Sequence, residues 1–472
     1  MTRLVVAVAL ALMIGGCRSR APAGGAGSAA SSAPSATAVV KESASAVVKE
    51  RAAEGSAAGE LLAGASTYAV IVGVLEFGEP GVAGWSKERR KDRALYEALR
   101  ARGVPADNMA LVLDAEALYP TVFSAIERIG RRAKAGSTLL FYYAGHGTRD
   151  AQGQPYFVAY DSSSSDMAHT GIAVSKVAAA VREHFRGSRV LFMADACYSG
   201  TLGDAVAEVV RPREGMATLS AASLTSADAS NLSTNNWTFT QTILDGLAGD
   251  GLMDEDGDGT ISLGELREAV ADAMMYREKQ RHGFVLRGID EGEPIAAAKG
   301  GATGGAKGVG GYVLAPRADR KGTDVAQIRE VGGNSRTVRF YDYNHATDRE
   351  VAATALKPIT FERHPVGAAL RVFWGGKLWD AKVLKVDGDF HFITYPGWGP
   401  EWNEWVMSDR IAGSTKGEPV DRQGEVEVEW RGSWWPARIQ SQEGGRYLIR
   451  YVGYGPEWDE WVTDARIRTP SK

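Results

Sequence analysis

Two short segments carry side chains suited to nucleophilic chemistry. Gly145-His146-Gly147 closes one apolar run, and Asp195-Ala196-Cys197-Tyr198-Ser199-Gly200 closes another. A thiol becomes a strong nucleophile when a nearby imidazole favours its thiolate, and the same imidazole can protonate a leaving group. The glycines beside these residues permit close backbone approach. His146 and Cys197 are therefore the candidate catalytic pair, 51 positions apart. The chain's only other cysteine is Cys17.

The elements that must position the pair alternate in type. Tyr68 to Val74, Met109 to Leu113, Thr138 to Tyr143 and Val190 to Ala194 are short apolar runs that read as buried strands. Between them, Glu88 to Arg102, Thr121 to Ala133 and Val174 to Phe185 have helical spacing. Strands alternating with helices predict a mainly parallel sheet covered on both faces. In such sheets the carboxyl ends of the strands form the active-site edge, where His146 and Cys197 would both project.

On these residues the sequence resembles the caspase and metacaspase family of cysteine peptidases. Phe141-Tyr142-Tyr143-Ala144-Gly145-His146-Gly147 is similar to its histidine motif and Asp195 to Gly200 to its cysteine motif. The His-then-Cys separation is near the roughly 50 residues expected. The similarity spans about residues 66 to 290. It implies an α/β caspase-like fold in which Cys197 attacks the scissile carbonyl of a protein or peptide substrate. His146 then serves as acid and base, and the N–H groups of Gly147 and Cys197 hold the oxyanion. It also implies that Asp195 lines the pocket for the residue before the cut and selects Arg or Lys. Asp92 is a second pocket acid by position alone. Arg211 and Arg213 lie in a polar segment where relatives often cut themselves. Pro212 disfavours Arg211, which leaves Arg213 as self-cleavage site or plain surface arginine.

A second constellation runs from Asp254 to Glu265 and fits the EF-hand pattern. Asp254, Asp256 and Asp258 supply carboxylates, Gly259 the sharp turn, Thr260 a carbonyl, Ser262 a direct or water-mediated contact, and Glu265 both oxygens. Ca2+ is the expected ion. No organic cofactor is expected.

Beyond a Gly/Ala/Lys-rich stretch at 296–311 the texture changes to short strands and dense tryptophan. Trp374, Trp379, Ala381, Tyr395, Trp402, Trp405 and Arg410 recur as Trp430, Trp435, Ala437, Tyr451, Trp458, Trp461 and Arg466, every pair 56 positions apart. The two units, 366–412 and 422–468, resemble SH3-like barrels of the Tudor or chromo-barrel type, and a degenerate copy is expected at 312–360. The resemblance implies aromatic cages for a cation or peptide. The candidate cage residues are Trp374, Tyr395, Trp398 and Trp402, with Trp430, Tyr451, Tyr454 and Trp458. About half of the tryptophans are expected to fill the small cores instead. The ligand is unspecified.

The first residues read as a processing signal. Arg3 precedes the apolar stretch Leu4 to Ile14, and Ile14-Gly15-Gly16-Cys17 closes it. That stretch is too short for a stable span and suits a signal peptide over 1–17. The site resembles a bacterial lipoprotein cleavage site, which implies acylation of Cys17 and membrane anchoring. Arg18 after it implies sorting to the outer membrane. Residues 18–65 are rich in Ala, Ser and Gly and read as a flexible tether to a peptidase domain at 66–295. A net charge of −4 gives no electrostatic case for nucleic acid. The competing classes are a non-enzymatic envelope scaffold and an acyl-transfer enzyme using the same thioester chemistry.

Overall fold

The computed structural model describes residues 59–472, except 151, 228–236, 300–307, 319–321, 342–345, 375–376, 413–423, 431–432, 444–445, 464–465, 469 and 471–472. The signal peptide, Cys17, most of the tether and the centre of the Gly-rich linker lie outside the described residues.

The N-terminal half of the described chain is built on a six-stranded sheet. Its strands are β1 (Thr67–Gly73), β2 (Met109–Leu113), β3 (Thr138–Ala144), β4 (Arg189–Asp195), β5 (Ser220–Thr225) and β6 (Gly283–Arg287), in the order β6-β5-β4-β3-β1-β2. All neighbours are parallel except β6, which runs antiparallel to β5. Helices α1 (Asp92–Ala101), α2 (Tyr119–Arg132), α3 (Val174–His184), α4 (Leu202–Val209), α5 (Thr238–Leu247) and α6 (Leu263–Glu278) cover it.

Alternation along each strand divides the core between two faces. Val70, Val72, Phe141, Tyr143 and Phe192 pack on one side against Val122, Ile126 and Ile129 of α2, Val177 and Val181 of α3, and Val206 of α4. Ile71, Leu140, Tyr142, Leu191 and Met193 pack on the other against Leu95 and Leu99 of α1, Ile243 of α5, and Leu266 and Val270 of α6. Each such side chain contributes roughly 1.5–3 kcal/mol on burial. This double cover explains why β1 to β4 read as unbroken apolar runs.

Part of the stretch expected as tether, up to 65, is packed on the domain. Leu61 and Leu62 are fully buried in the second core, and Leu61 N–H donates to Pro294 O at 2.8 Å. The Ala/Ser/Gly texture of the flanking residues hid this pair. Arg102 locks the segment by donating to the carbonyls of Leu62 and Leu247 and to Glu60.

Three small antiparallel sheets follow. The first is five-stranded and lies between Tyr312 and Pro358. The second is four-stranded, from Ala369 to Val406, and the third five-stranded, from Glu425 to Arg468. The second and third have matching cores, Val372/Ala381/Ile393/Val406 and Val428/Ala437/Ile449/Val462. Among the described residues no helix is long and apolar enough to cross a membrane.

Candidate active site

Strand register aligns the two loops that carry His146 and Cys197. Ala144 at the end of β3 pairs with Asp195 at the end of β4. His146 and Cys197 each stand two residues beyond that rung, on parallel strands that lie about 4.8 Å apart. The loops then touch: a Cβ built on Gly147 would lie 1.8 Å from the carbonyl oxygen of Cys197. Only glycine permits that approach. Gly145 is held by φ +152° and would also clash, with the Tyr143 hydroxyl. That hydroxyl lies 2.9 Å from both the His146 and Val158 carbonyls and fixes the histidine turn from below.

The His146 ring is half-buried between Trp85 and Phe77, with centroids 4.2 and 4.9 Å away. Its Nε2 lies 2.7 Å from the Ala83 carbonyl oxygen. A carbonyl only accepts, so Nε2 carries the proton and Nδ1 keeps the lone pair in the neutral ring. Cys197 is half-buried. The Ala196 N–H before it donates to Ser226 Oγ at 3.1 Å, and Tyr198 after it adopts a left-handed φ of 56°. Burial raises the Tyr198 hydroxyl, the Cys197 and Glu404 charges raise it further, and Arg149 over its ring opposes them.

Gly147 begins a short strand whose register partner is Phe157, and Val158 N–H donates to His146 O at 2.9 Å. In an antiparallel ladder the bonded and non-bonded rungs alternate, so 147/157 is the non-bonded rung. The Gly147 N–H is thereby left outside the ladder.

Asp195 is 1% exposed. Its Oδ2 accepts from the Thr240 hydroxyl at 2.7 Å and from the Thr240 N–H at 3.2 Å. Its Oδ1 has no well-formed hydrogen bond among the described residues. Burial pushes the carboxyl up to about 6, with the Thr240 bonds and the nearby Ser226 hydroxyl opposing it and the Glu278 charge adding to it.

Asp92 stands on the same side of the sheet edge, with its Oδ2 where a Gly73 side chain would be. From β4 to β1 the edge therefore reads Asp195, Ala144, Gly73, with Asp92 over the last. The charges of both aspartates act on buried Tyr142. Asp92 is already matched within the chain, however. Arg90 Nε and Nη2 donate to its two oxygens at 2.8 and 2.9 Å, and Arg90 Nη1 donates to Asp114 at 2.8 Å. No sequence pattern singled out Arg90 or Asp114; the pairing exists only once α1 docks on β1.

Arg213 is neither exposed nor a surface residue. It is 7% exposed, and its guanidinium donates to the carbonyls of Phe185, Arg182 and Ala217. Both readings of this residue drawn from its polar neighbours are corrected by that burial. Arg211 is the exposed one, paired with Glu208.

In the acidic loop, oxygens of Asp254, Asp256 and Glu265 lie within 4.8 Å of one another. Hard oxygen donors in this arrangement suit Ca2+. Asp258 stands outside this group, its Oδ1 accepting from Thr260 N–H at 2.7 Å. Glu265 also caps α6 by a reciprocal pair of bonds with Ser262. The loop thus carries a helix start as well as the carboxylate cluster.

In the second small sheet Trp374, Trp379, Tyr395, Trp398, Trp402 and Glu404 line one cavity of about 20 Å3. A single water needs roughly 10–15 Å3, so the cavity is a shallow one between the rings. The walls meet nearly at right angles: Trp379–Trp398 at 88°, Trp374–Trp402 at 77° and Trp398–Trp402 at 72°. Beneath them Tyr395 donates to Glu404, which Arg410 clasps with two bonds of 2.7 and 2.8 Å. The third sheet repeats this with Trp430, Trp435, Tyr451, Tyr454 and Trp458 over a Glu460–Arg466 pair. Trp379 and Glu404 are the lining residues missed as cage members, although the 56-residue spacing carries both.

Residues 67–286 match the family model of the caspase domain, and residues 420–472 match that of the Agenet domain. Fold and site together define a caspase-like α/β domain followed by small antiparallel Tudor-like sheets. No curated protein matches the chain. Among solved structures, a protein from Geobacter sulfurreducens aligns at 15% identity over 49% of this chain and 99% of its own, with a TM-score of 0.34. The four MBT repeats of Drosophila melanogaster Sfmbt, in complex with a peptide written RHR(me)K VLR, align at 10% identity over 34% of this chain and 63% of theirs, with a TM-score of 0.21.

Proposed function

We propose that the chain is a cysteine endopeptidase that cuts peptide bonds after Arg or Lys. The observation that carries this reading is the backbone contact between Gly147 and Cys197 on loops that leave neighbouring strands in register. Cys197 Sγ attacks the scissile carbonyl while its proton passes to His146 Nδ1, the nitrogen left by the Nε2–Ala83 bond. The tetrahedral oxyanion lies between the N–H groups of Gly147 and Cys197. Collapse expels the amine, which takes the proton from His146, and leaves a thioester. Water then attacks the thioester, His146 takes a proton from it and returns it to the thiol.

Asp195 receives the basic side chain: a fully buried carboxylate with one oxygen short of a partner is matched by a guanidinium or ammonium. Asp92 contributes less, because Arg90 already compensates it. A thiol-reactive probe ending in Arg should label the wild-type chain once, at Cys197. Equal labelling by a probe ending in Leu would sink the assignment of Asp195.

The further elements of the proposal serve that activity. Ca2+ at Asp254, Asp256 and Glu265, with Asp258, Thr260 and Ser262 completing the shell, holds the start of α6. The aromatic cages take a cationic side chain of a protein or peptide. Acylated Cys17 tethers the enzyme to the cell envelope, at the outer membrane.

A further inference from the structure

The segment Tyr276 to Arg281, at the end of α6, connects the small sheets to the nucleophile. Arg281 donates to Asp387 at 2.5 Å and stacks on Trp405 at 4.4 Å, both in the second small sheet. Its neighbour Gln280, 3% exposed, donates to the Ser226 carbonyl at 2.8 Å. The hydroxyl of the same Ser226 receives the Ala196 N–H, one residue before Cys197. Lys279 lies over Phe361, and Tyr276 stacks on Tyr312 with ring centroids 5.1 Å apart. The sheet bearing the first cage is thus docked on the residues that support the thiol.

Strand alternation then orients the cage. Trp405 faces Arg281, so Glu404 points the other way, into the sheet interior beneath Trp398 and Trp402.

The cage itself is electrically balanced. Arg410 and Tyr395 occupy Glu404, and what faces the cavity is ring surface. Such walls favour a weakly hydrated cation, an alkylated ammonium or a guanidinium, over a compact ammonium that keeps its water. Trp398 is 40% exposed and forms the open wall.

We propose that the Trp374–Trp402 cage and the Asp195 pocket read one polypeptide. The substrate class is a chain with Arg or Lys at the cut and a methylated lysine or second arginine a fixed distance along it. This rests on the peptidase reading and adds a second recognition point to it. Two linked contacts raise affinity by effective concentration, provided the spacer matches the span.

The test uses the full chain with Cys197→Ala, so that peptides survive the measurement. Peptides carrying an arginine, a trimethyl-lysine, or both at spacers of roughly 4 to 16 residues, about 14 to 55 Å extended, are titrated. The expected result is a gain of about tenfold or more for one range of spacers over the better single-site peptide. Adding Trp398→Ala removes the gain, and Trp398→Tyr, the ring found at Tyr454 in the second copy, restores it. A two-site peptide no tighter than its better half at every spacer overturns the proposal, as does a gain that survives Trp398→Ala. The arginine-only peptide reports separately on Asp195, so failure of that pocket is read independently.

Discussion

The Cα of Gly147 rests against the carbonyl oxygen of Cys197, so close that a methyl group there would lie 1.8 Å from it. Gly147→Ala therefore forces the histidine and cysteine loops apart. The expected result is loss of at least about a hundredfold in kcat/KM, since misplacement of reacting groups by an ångström costs that much. Circular dichroism should remain that of the wild type, because the clash is confined to the two loops. Retained turnover in this variant would show that the loops do not act together.

Asp195 gives the site a pH dependence. Its carboxyl is raised from 3.8 to about 6 by burial. A carboxyl raised in the folded state favours folding below its unfolded value, and that advantage is lost as pH climbs through 6, where a charge must be kept in the core. The loss amounts to roughly 3 kcal/mol at most. Asp195→Asn should flatten stability between about pH 4 and 7 and raise Tm above pH 6. A basic substrate needs the ionised form, so the wild-type KM for an Arg reporter should fall as pH rises through 6. A KM that is level across this range contradicts the pocket assignment.

Arg90 joins Asp92 and Asp114 in one partly buried cluster, with Asp114 held below the usual carboxylate range by Arg90, Leu75 N–H and Lys87 against the opposing effect of burial. Arg90→Met leaves Asp92 without its cation and Asp114 with only Lys87 and the Leu75 N–H, and should cost about 3–5 kcal/mol in denaturant unfolding. Combining it with Asp92→Asn should recover part of that loss. Additive costs would mean that the two side chains are not coupled.

The sequence made some of this legible and left some of it silent. Apolar runs with strand length exposed the parallel sheet, because a strand buried on both faces has no polar alternation to confuse it. Two strands went unread: the parallel strand Ser220–Thr225, whose small and hydroxyl residues make no apolar run, and the antiparallel edge strand Gly283–Arg287, whose residues are mostly half-buried and carry no clear period. The 56-residue repeat exposed the tryptophans, yet Trp379 and Glu404 become cage lining only through cross-strand packing. Ala83, whose carbonyl fixes the His146 tautomer, and Arg213, buried by three carbonyls, act through backbone that no local pattern reports.

Removal of calcium should act on stability first. The carboxylate cluster begins α6, whose far end holds Gln280 and Arg281. Saturating Ca2+ at a hundred times its Kd should add about 2.7 kcal/mol. Chelator should therefore lower Tm, and Asp254→Asn should abolish the difference. An unchanged Tm with and without chelator would remove the ion from the account.

The most direct test is hydrolysis of an Arg-terminated reporter peptide by the full chain and by its Cys197→Ala and His146→Ala variants. The account predicts turnover in the wild type and none above background in either variant, with all three folded. Turnover that persists without the Cys197 thiol would contradict it.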